Sequence, residues 1–125
     1  MSTITTIIAT RNRPADLQNT LESLARTDQR DHQVTVVVVD NASDYDSSVL
    51  LERYQGRIRI IHLSQPEPGK NKAINTALLR ALPADYVHFT DDDVSFPKQL
   101  YHLIHEYGES YPEYSVCIVL KPAFV

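Results

Sequence analysis

The stretch Val34-Thr35-Val36-Val37-Val38-Val39-Asp40-Asn41-Ala42-Ser43-Asp44 decides the fold. Its β-branched run is continuous rather than alternating, the pattern of a strand covered on both faces. It stops at turn and cap residues, Asp40 to Asp44. A strand covered on both sides needs packing elements above and below it, and the flanking segments supply them. Upstream, Thr3 to Thr10 is a β-branched strand that ends at Arg11-Asn12-Arg13-Pro14, and Pro14 suits the first turn of a helix. Leu17, Leu21 and Leu24 then recur at helical spacing through Ala25. Downstream, a helix is expected over Ser47 to Tyr54, carrying Val49, Leu50 and Tyr54 and ended by Gly56. Ile58 to Leu63 reads as the third strand, and Gln65-Pro66-Glu67-Pro68-Gly69 as a loop. Lys70 to Leu82 reads as a helix with Ala73, Ile74, Ala77, Leu78 and Leu82 on its apolar side. Asp85 to Thr90 is the fourth strand. Pro97 opens a fourth helix with Leu100, Leu103, Ile104 and Tyr107 inward, and Ser115 to Leu120 is expected as a fifth strand.

Alternation of strands and helices is the signature of an α/β domain with a mainly parallel sheet. Parallel strands put all their C-terminal ends on one edge, where open α/β sheets bind ligands. That edge collects Arg11, Asn12 and Arg13; Asp40, Asn41 and Asp44; Gly69 to Lys72; and Asp91 to Asp93.

The length of 125 residues supports one domain, with 42% hydrophobic and 22% charged residues. A formal charge of -4 argues against a nucleic-acid partner, which calls for a basic face. An anionic substrate therefore needs local help from a metal ion or a few placed Lys and Arg. Cys117 is the single cysteine, expected in a buried strand, so no intrachain disulfide forms. No apolar stretch reaches membrane-span length and no signal-peptide block opens the chain, so a cytoplasmic location is expected. His102 and His105 share helical spacing without a third ligand, and read as an exposed or interfacial pair. Tyr101, Tyr107, Tyr111 and Tyr114 read as packing residues of the C-terminal region.

Three consecutive carboxylates, Asp91, Asp92 and Asp93, follow an apolar strand. In extended chain, residues two apart point the same way, so Asp91 and Asp93 are expected to converge while Asp92 faces elsewhere. Converging carboxylates repel unless a cation joins them, and hard oxygen ligands favour Mg²⁺ or Mn²⁺. The plainer alternative is a set of solvated acids before a helix.

Together the segments resemble the nucleotide-binding half of family 2 glycosyltransferases, which have the GT-A fold. The matching blocks are Thr6 to Pro14 with Leu17, Leu21, Ser23 and Leu24; Val37 to Asp44; Gly69-Lys70-Asn71-Lys72-Ala73-Ile74-Asn75; and Phe89-Thr90-Asp91-Asp92-Asp93 with Pro97 and Leu100. They stand in family order over residues 4 to about 104. The resemblance implies a three-layer α/β/α, Rossmann-like domain over residues 1–125, incomplete because the acceptor-binding half is absent. It implies a nucleotide-diphosphate sugar donor, a UDP-sugar by preference, and a Mn²⁺ or Mg²⁺ cofactor. Thr10, Arg11, Asn12 and Arg13 would line the nucleobase and ribose pocket, and Asp40 would accept from the base. Lys70 and Lys72 would face the diphosphate. Asp91 and Asp92 would contact the donor, and Asp93 with Asp91 would bind the metal. Asp44 is expected to brace its turn. Ile74 stands where many members carry Arg. No general base is identifiable, and Glu113 is a lone carboxylate beside Pro112. Inverting transfer to an unknown acceptor is therefore the expected chemistry of the family, with little transfer by this chain alone. The rival is a non-catalytic nucleotide-sugar-binding or partner-interaction module. An open sheet edge would favour homo-oligomers.

Overall fold

The computed structural model describes residues 2–81 and 83–112. Eight elements follow in order: β1 (Ser2–Thr10), α1 (Pro14–Ala25), β2 (His32–Asn41), α2 (Ser47–Glu52), β3 (Ile60–Gln65), α3 (Lys70–Ala81), β4 (Tyr86–Thr90) and α4 (Leu100–Ser110). The four strands form one sheet in the order β3-β2-β1-β4, with every neighbouring pair parallel. The strand order reverses direction beside β1, so the ends of β1 and β4 flank the switch point where such sheets bind ligands.

Strand alternation assigns the two core layers. On one face Ile4, Ile8, Val36 and Val38 pack with Leu17, Leu21 and Leu24 of α1, Leu50 and Leu51 of α2, and Leu100 and Ile104 of α4. On the other, Ile7, Val37 and Val39 meet Ala73, Ala77 and Ala81 of α3. Every valine from Val36 to Val39 is therefore buried, as the continuous run requires. Each fully buried leucine of α1 contributes about 1.5–3 kcal/mol of transfer free energy. The result is the three-layer α/β/α arrangement expected from the sequence. Among the described residues no helix is long and apolar enough to cross a membrane.

Several elements differ from expectation. The second helix stops at Glu52, and turns carry the chain on to Ile58, whose side chain is buried ahead of β3. Val49 points outward, with Leu50 and Leu51 inward. The cap of α2 is Asp46, which accepts from the Ser48 amide at 3.0 Å. The fourth helix begins at Leu100 instead of Pro97, because the preceding segment is tied to α1 and its C-terminal turn. The Val94 amide donates to Thr20 Oγ1 at 3.2 Å, the Phe96 amide to Ser23 Oγ at 2.7 Å, and the Asp28 amide to the Lys98 carbonyl at 2.8 Å.

Helix α4 is also rotated relative to expectation. It buries Leu100, Tyr101, Ile104 and Gly108, and leaves Tyr107 half exposed. Two contacts set the rotation. The Tyr101 hydroxyl lies 2.7 Å from Thr6 Oγ1, which is also 3.1 Å from His88 Nδ1. Gly108 faces Tyr86 so closely that a Cβ would sit 2.1 Å from its ring. Tyr101 is thus a packing residue as expected, while Tyr107 and Tyr111 are half exposed. His105 packs against His32 with tilted rings 5.0 Å apart between centroids, and His102 faces outward beside Glu106. Leu82, Glu113, Tyr114, Cys117 and the strand expected over Ser115 to Leu120 lie outside the described residues.

Candidate functional site

A cavity of about 480 Å³ opens at the C-terminal ends of β1 and β4. Its floor is Ala9 and Thr10, and its walls carry Arg11, Arg13, Asn41, Gly69, Lys70 and Asp91 to Asp93. The parallel register brings these together: Ile8 pairs with Thr90 and Thr10 with Asp40.

The three aspartates are held by Lys70, Thr10 and Arg13, the arginine serving two of them. Asp91 is exposed and pairs with Lys70 Nζ at 2.8 Å. Asp92 is 4% exposed and accepts from Thr10 Oγ1 at 2.9 Å. Arg13 spans the other two, with Nη1 3.4 Å from Asp92 and Nη2 3.5 Å from Asp93. The sequence expectation that Asp92 faces away from its neighbours is thereby corrected. The chain turns at Asp92 and Asp93, so strand alternation no longer governs where the side chains point. Burial pushes the Asp92 carboxyl above its ordinary range, opposed by the Thr10 bond and by Arg13. Asp92 in turn holds the Arg13 guanidinium above its usual value.

Asp40 reaches the same sheet edge but a different cavity. It lines a neighbouring pocket of about 200 Å³ with Tyr45, Ser47 and His62. Its carboxylate accepts from the Ser43 amide at 3.0 Å and from the Ser47 hydroxyl, which lies 3.1 Å from His62 Nε2. The Tyr45 hydroxyl is buried without a partner among the described residues. Its phenol is held above the ordinary value by burial, then by Asp40 and Asp92.

Two expected cavity residues stand elsewhere. Asn12, at φ 53°, donates from its amide to Ser43 Oγ at 2.9 Å. Its side chain also exchanges hydrogen bonds with Asp44, at 3.2 and 2.7 Å. It stitches the loop after β1 to the loop after β2, and Asp44 braces that turn as expected. Lys72 pairs with Glu67 and lines none of these cavities. Its partner five residues earlier, in the loop before α3, satisfies it before any cavity does.

Asn41 is a residue that motif reading left without a role. Its Nδ2 donates to the carbonyls of Gln65 and Glu67 at 3.1 and 2.7 Å, and its Oδ1 accepts from the Gly69 amide at 2.9 Å. It therefore shapes the loop that delivers Lys70. Gly69 sits at φ 141°, a conformation that other residues rarely adopt. The sequence signal was a polar residue closing a buried strand.

Beside the main cavity lies an apolar pocket of about 240 Å³, where Ile7, Ile74 and Phe89 meet Lys70 and Asp91.

A hard dication fits this donor set in one way. Among the described residues no three carboxylates, imidazoles or thiols form a preformed metal cluster, so a dication held by these residues would need further ligands. One or two carboxylates with water and substrate phosphates completing the shell is how Mg²⁺ is ordinarily held. Arg11, Arg13 and Lys70 add the cationic charge that a diphosphate needs.

A parallel α/β sheet with acids and bases gathered at its switch point carries its ligand site there. The chain belongs to glycosyl transferase family 2, whose model matches residues 5–122. No curated protein sequence matches it. Among solved structures it is similar to TarS of S. aureus, residues 1-349, at 24% identity and a TM-score of 0.77 over 88% of this chain and 33% of that one. It is similar to the mannosyltransferase PcManGT from Pyrobaculum calidifontis, in complex with GDP-Man and Mn²⁺, at 29% identity and a TM-score of 0.70 over 78% of this chain and 30% of that one. A third is glucosyl-3-phosphoglycerate synthase from Mycobacterium tuberculosis with Mn²⁺, UDP and phosphoglyceric acid, at 23% and 0.61 over 82% and 37%. The chain thus spans about a third of the length of these structures.

Proposed function

We propose that residues 1–125 form the part of an inverting glycosyltransferase that binds a nucleotide-diphosphate sugar with Mn²⁺ or Mg²⁺. The observation that carries this reading is the cavity in which Asp91, Asp92 and Asp93 meet Arg11, Arg13 and Lys70. Carboxylates suit a hard dication, and the bases suit a diphosphate. Asp93 and Asp91 would hold the ion. When bound, it would supply Lewis-acid stabilisation of the charge developing on the departing diphosphate.

The remaining roles fall to the chain's own residues. Lys70, Arg11 and Arg13 would neutralise the diphosphate, and Thr10 would position Asp92 beneath it. Asp40 would accept from the base N–H, which favours uracil. Its carboxylate offers about four lone-pair directions, so the bonds from Ser43 and Ser47 leave it capacity. Solved relatives of this fold support the donor class: TarS is known in complex with UDP-GlcNAc and PcManGT with GDP-Man and Mn²⁺. No residue is assigned as general base. Self-association would use β4, an edge strand among the described residues, where Phe89 is half exposed.

Calorimetry of UDP binding with and without Mn²⁺ tests the proposal. Asp93→Ala is expected to lose the Mn²⁺-dependent part of binding. Asp40→Ala is expected to keep the metal dependence but bind UDP more weakly and discriminate less against CDP. Unchanged UDP and Mn²⁺ affinities in both variants would remove the assignment. Hydrolysis or transfer assays with a panel of nucleotide sugars separate turnover from binding alone.

A further inference from the structure

Arg13 holds together the charge balance of the cavity. Its Nη1 lies 3.4 Å from Asp92 Oδ1, its Nη2 3.5 Å from Asp93 Oδ2, and its Nε 3.1 Å from Asp16 Oδ2 in the first turn of α1. The guanidinium presents its donors as a rigid fork, so one cation faces two carboxylates at once. Of the two, Asp93 is a carboxylate proposed to hold the dication, and Asp92 lines the cavity beside it. The Arg13 side chain is 48% exposed, while that of Asp92 is 6% exposed and fixed by Thr10. The arginine is free to leave for solvent, and the carboxylate is not.

We infer that Arg13 is a built-in competitor of the divalent cation, released from Asp92 and Asp93 when a diphosphate offers it another anionic partner. The inference rests on the reading of this cavity as the donor site. Its physical basis is charge conservation in a confined space. Three acids and three bases line it, and Arg13 and Lys70 already pair with the acids, so a dication entering alone leaves the arginine without its partners. A diphosphate entering alone meets the carboxylates. Entering together, the two exchange partners with the resident pairs and disturb the net charge far less. Cation and diphosphate therefore bind cooperatively, each raising the affinity of the other by the same factor. Lys70 and Asp91 make a pair of the same kind at 2.8 Å, but a single ammonium engages one acid only.

The competition predicts opposite changes for two ligands. Calorimetry is run on the full chain with Mn²⁺ alone, and with UDP at saturating Mn²⁺. Arg13→Gln is expected to bind Mn²⁺ alone about two- to fivefold tighter than the unaltered chain, the range for removing partly exposed ion pairs. The same variant is expected to bind UDP about tenfold more weakly, having lost a charge-assisted contact. Arg13→Lys, which loses the fork but keeps the charge, is expected to move Mn²⁺ affinity in the same direction by a smaller factor. It also serves if Arg13→Gln does not fold. Arg80→Gln removes the same charge in the last turn of α3, outside the cavity lining, and is expected to change Mn²⁺ affinity by less than about twofold.

A merely structural Arg13 would weaken both ligands together. Mn²⁺ affinity that is unchanged or lower in Arg13→Gln and Arg13→Lys, or no measurable Mn²⁺ binding in any variant, overturns the competition. If the unaltered chain binds no UDP at any Mn²⁺ concentration, the donor-site reading fails instead.

Discussion

The Thr10 hydroxyl donates to Asp92 at 2.9 Å, joining the end of β1 to the turn that follows β4. The bond holds one aspartate inside the cavity wall while its neighbours point to Lys70 and Arg13. A buried carboxylate kept by one hydroxyl and one half-exposed guanidinium is only partly compensated, and its raised proton affinity expresses that deficit.

Asp92→Asn therefore separates stability from binding. The Asp92 carboxyl titrates above its ordinary range in the folded state, so it favours folding at low pH and loses that contribution as pH rises through its folded pKa. Near pH 7 the amide variant is expected to be as stable as the unaltered chain or about 1 kcal/mol more stable. The difference is expected to shrink on acidification, while Mn²⁺-dependent UDP binding falls. Urea unfolding at several pH values together with calorimetry reads both. A clear loss of stability at pH 7 would contradict this account of Asp92.

His88 gives a second pH dependence of opposite sign. Burial pushes its imidazole from 6.5 down to about 4, so the folded state holds it neutral. That contribution is intact above about pH 6.5 and is lost as pH falls towards 4. Its full size is on the order of 3 kcal/mol, the free energy of moving the imidazole from 6.5 to about 4. His88→Gln is expected to flatten the pH 4–7 stability profile by much of this amount. The check is urea unfolding of both proteins across that range.

Asn41→Ala removes three hydrogen bonds to the loop before α3 at once. A loss of about 1–3 kcal/mol is expected, because the freed Gln65 and Glu67 carbonyls and Gly69 amide keep only water as partners. Amide exchange over residues 65–70 should accelerate. UDP affinity should fall because Lys70 is delivered by that loop. Unaltered exchange there would show that the loop holds its shape without Asn41.

Gly108→Ala tests the rotation of α4. The added methyl would lie 2.1 Å from the Tyr86 ring, so the ring or the helix must shift. A destabilisation of about 1–3 kcal/mol is expected, as for overpacking elsewhere. Tyr86→Leu in the same chain should recover part of it, since the clash is with the far end of that side chain. Thermal unfolding of the single and double variants decides.

Local pattern determined the α/β alternation, the doubly covered strand at Val36 to Val39, and the meeting of polar segments at one sheet edge. These follow from side-chain periodicity and turn chemistry, which act between near neighbours in the chain. Tertiary structure decided the choices that depend on distant partners. Thr10 and Arg13 turn Asp92 into the cavity, Ser43 and Ser47 hold Asp40 in the next one, and Glu67 takes Lys72 away. Thr6 and Tyr86 rotate α4, and α1 with its C-terminal turn delays the start of that helix. An extended strand sets where its side chains point. A turn does not, so beyond each strand end the direction of a charge belongs to whichever distant group satisfies it.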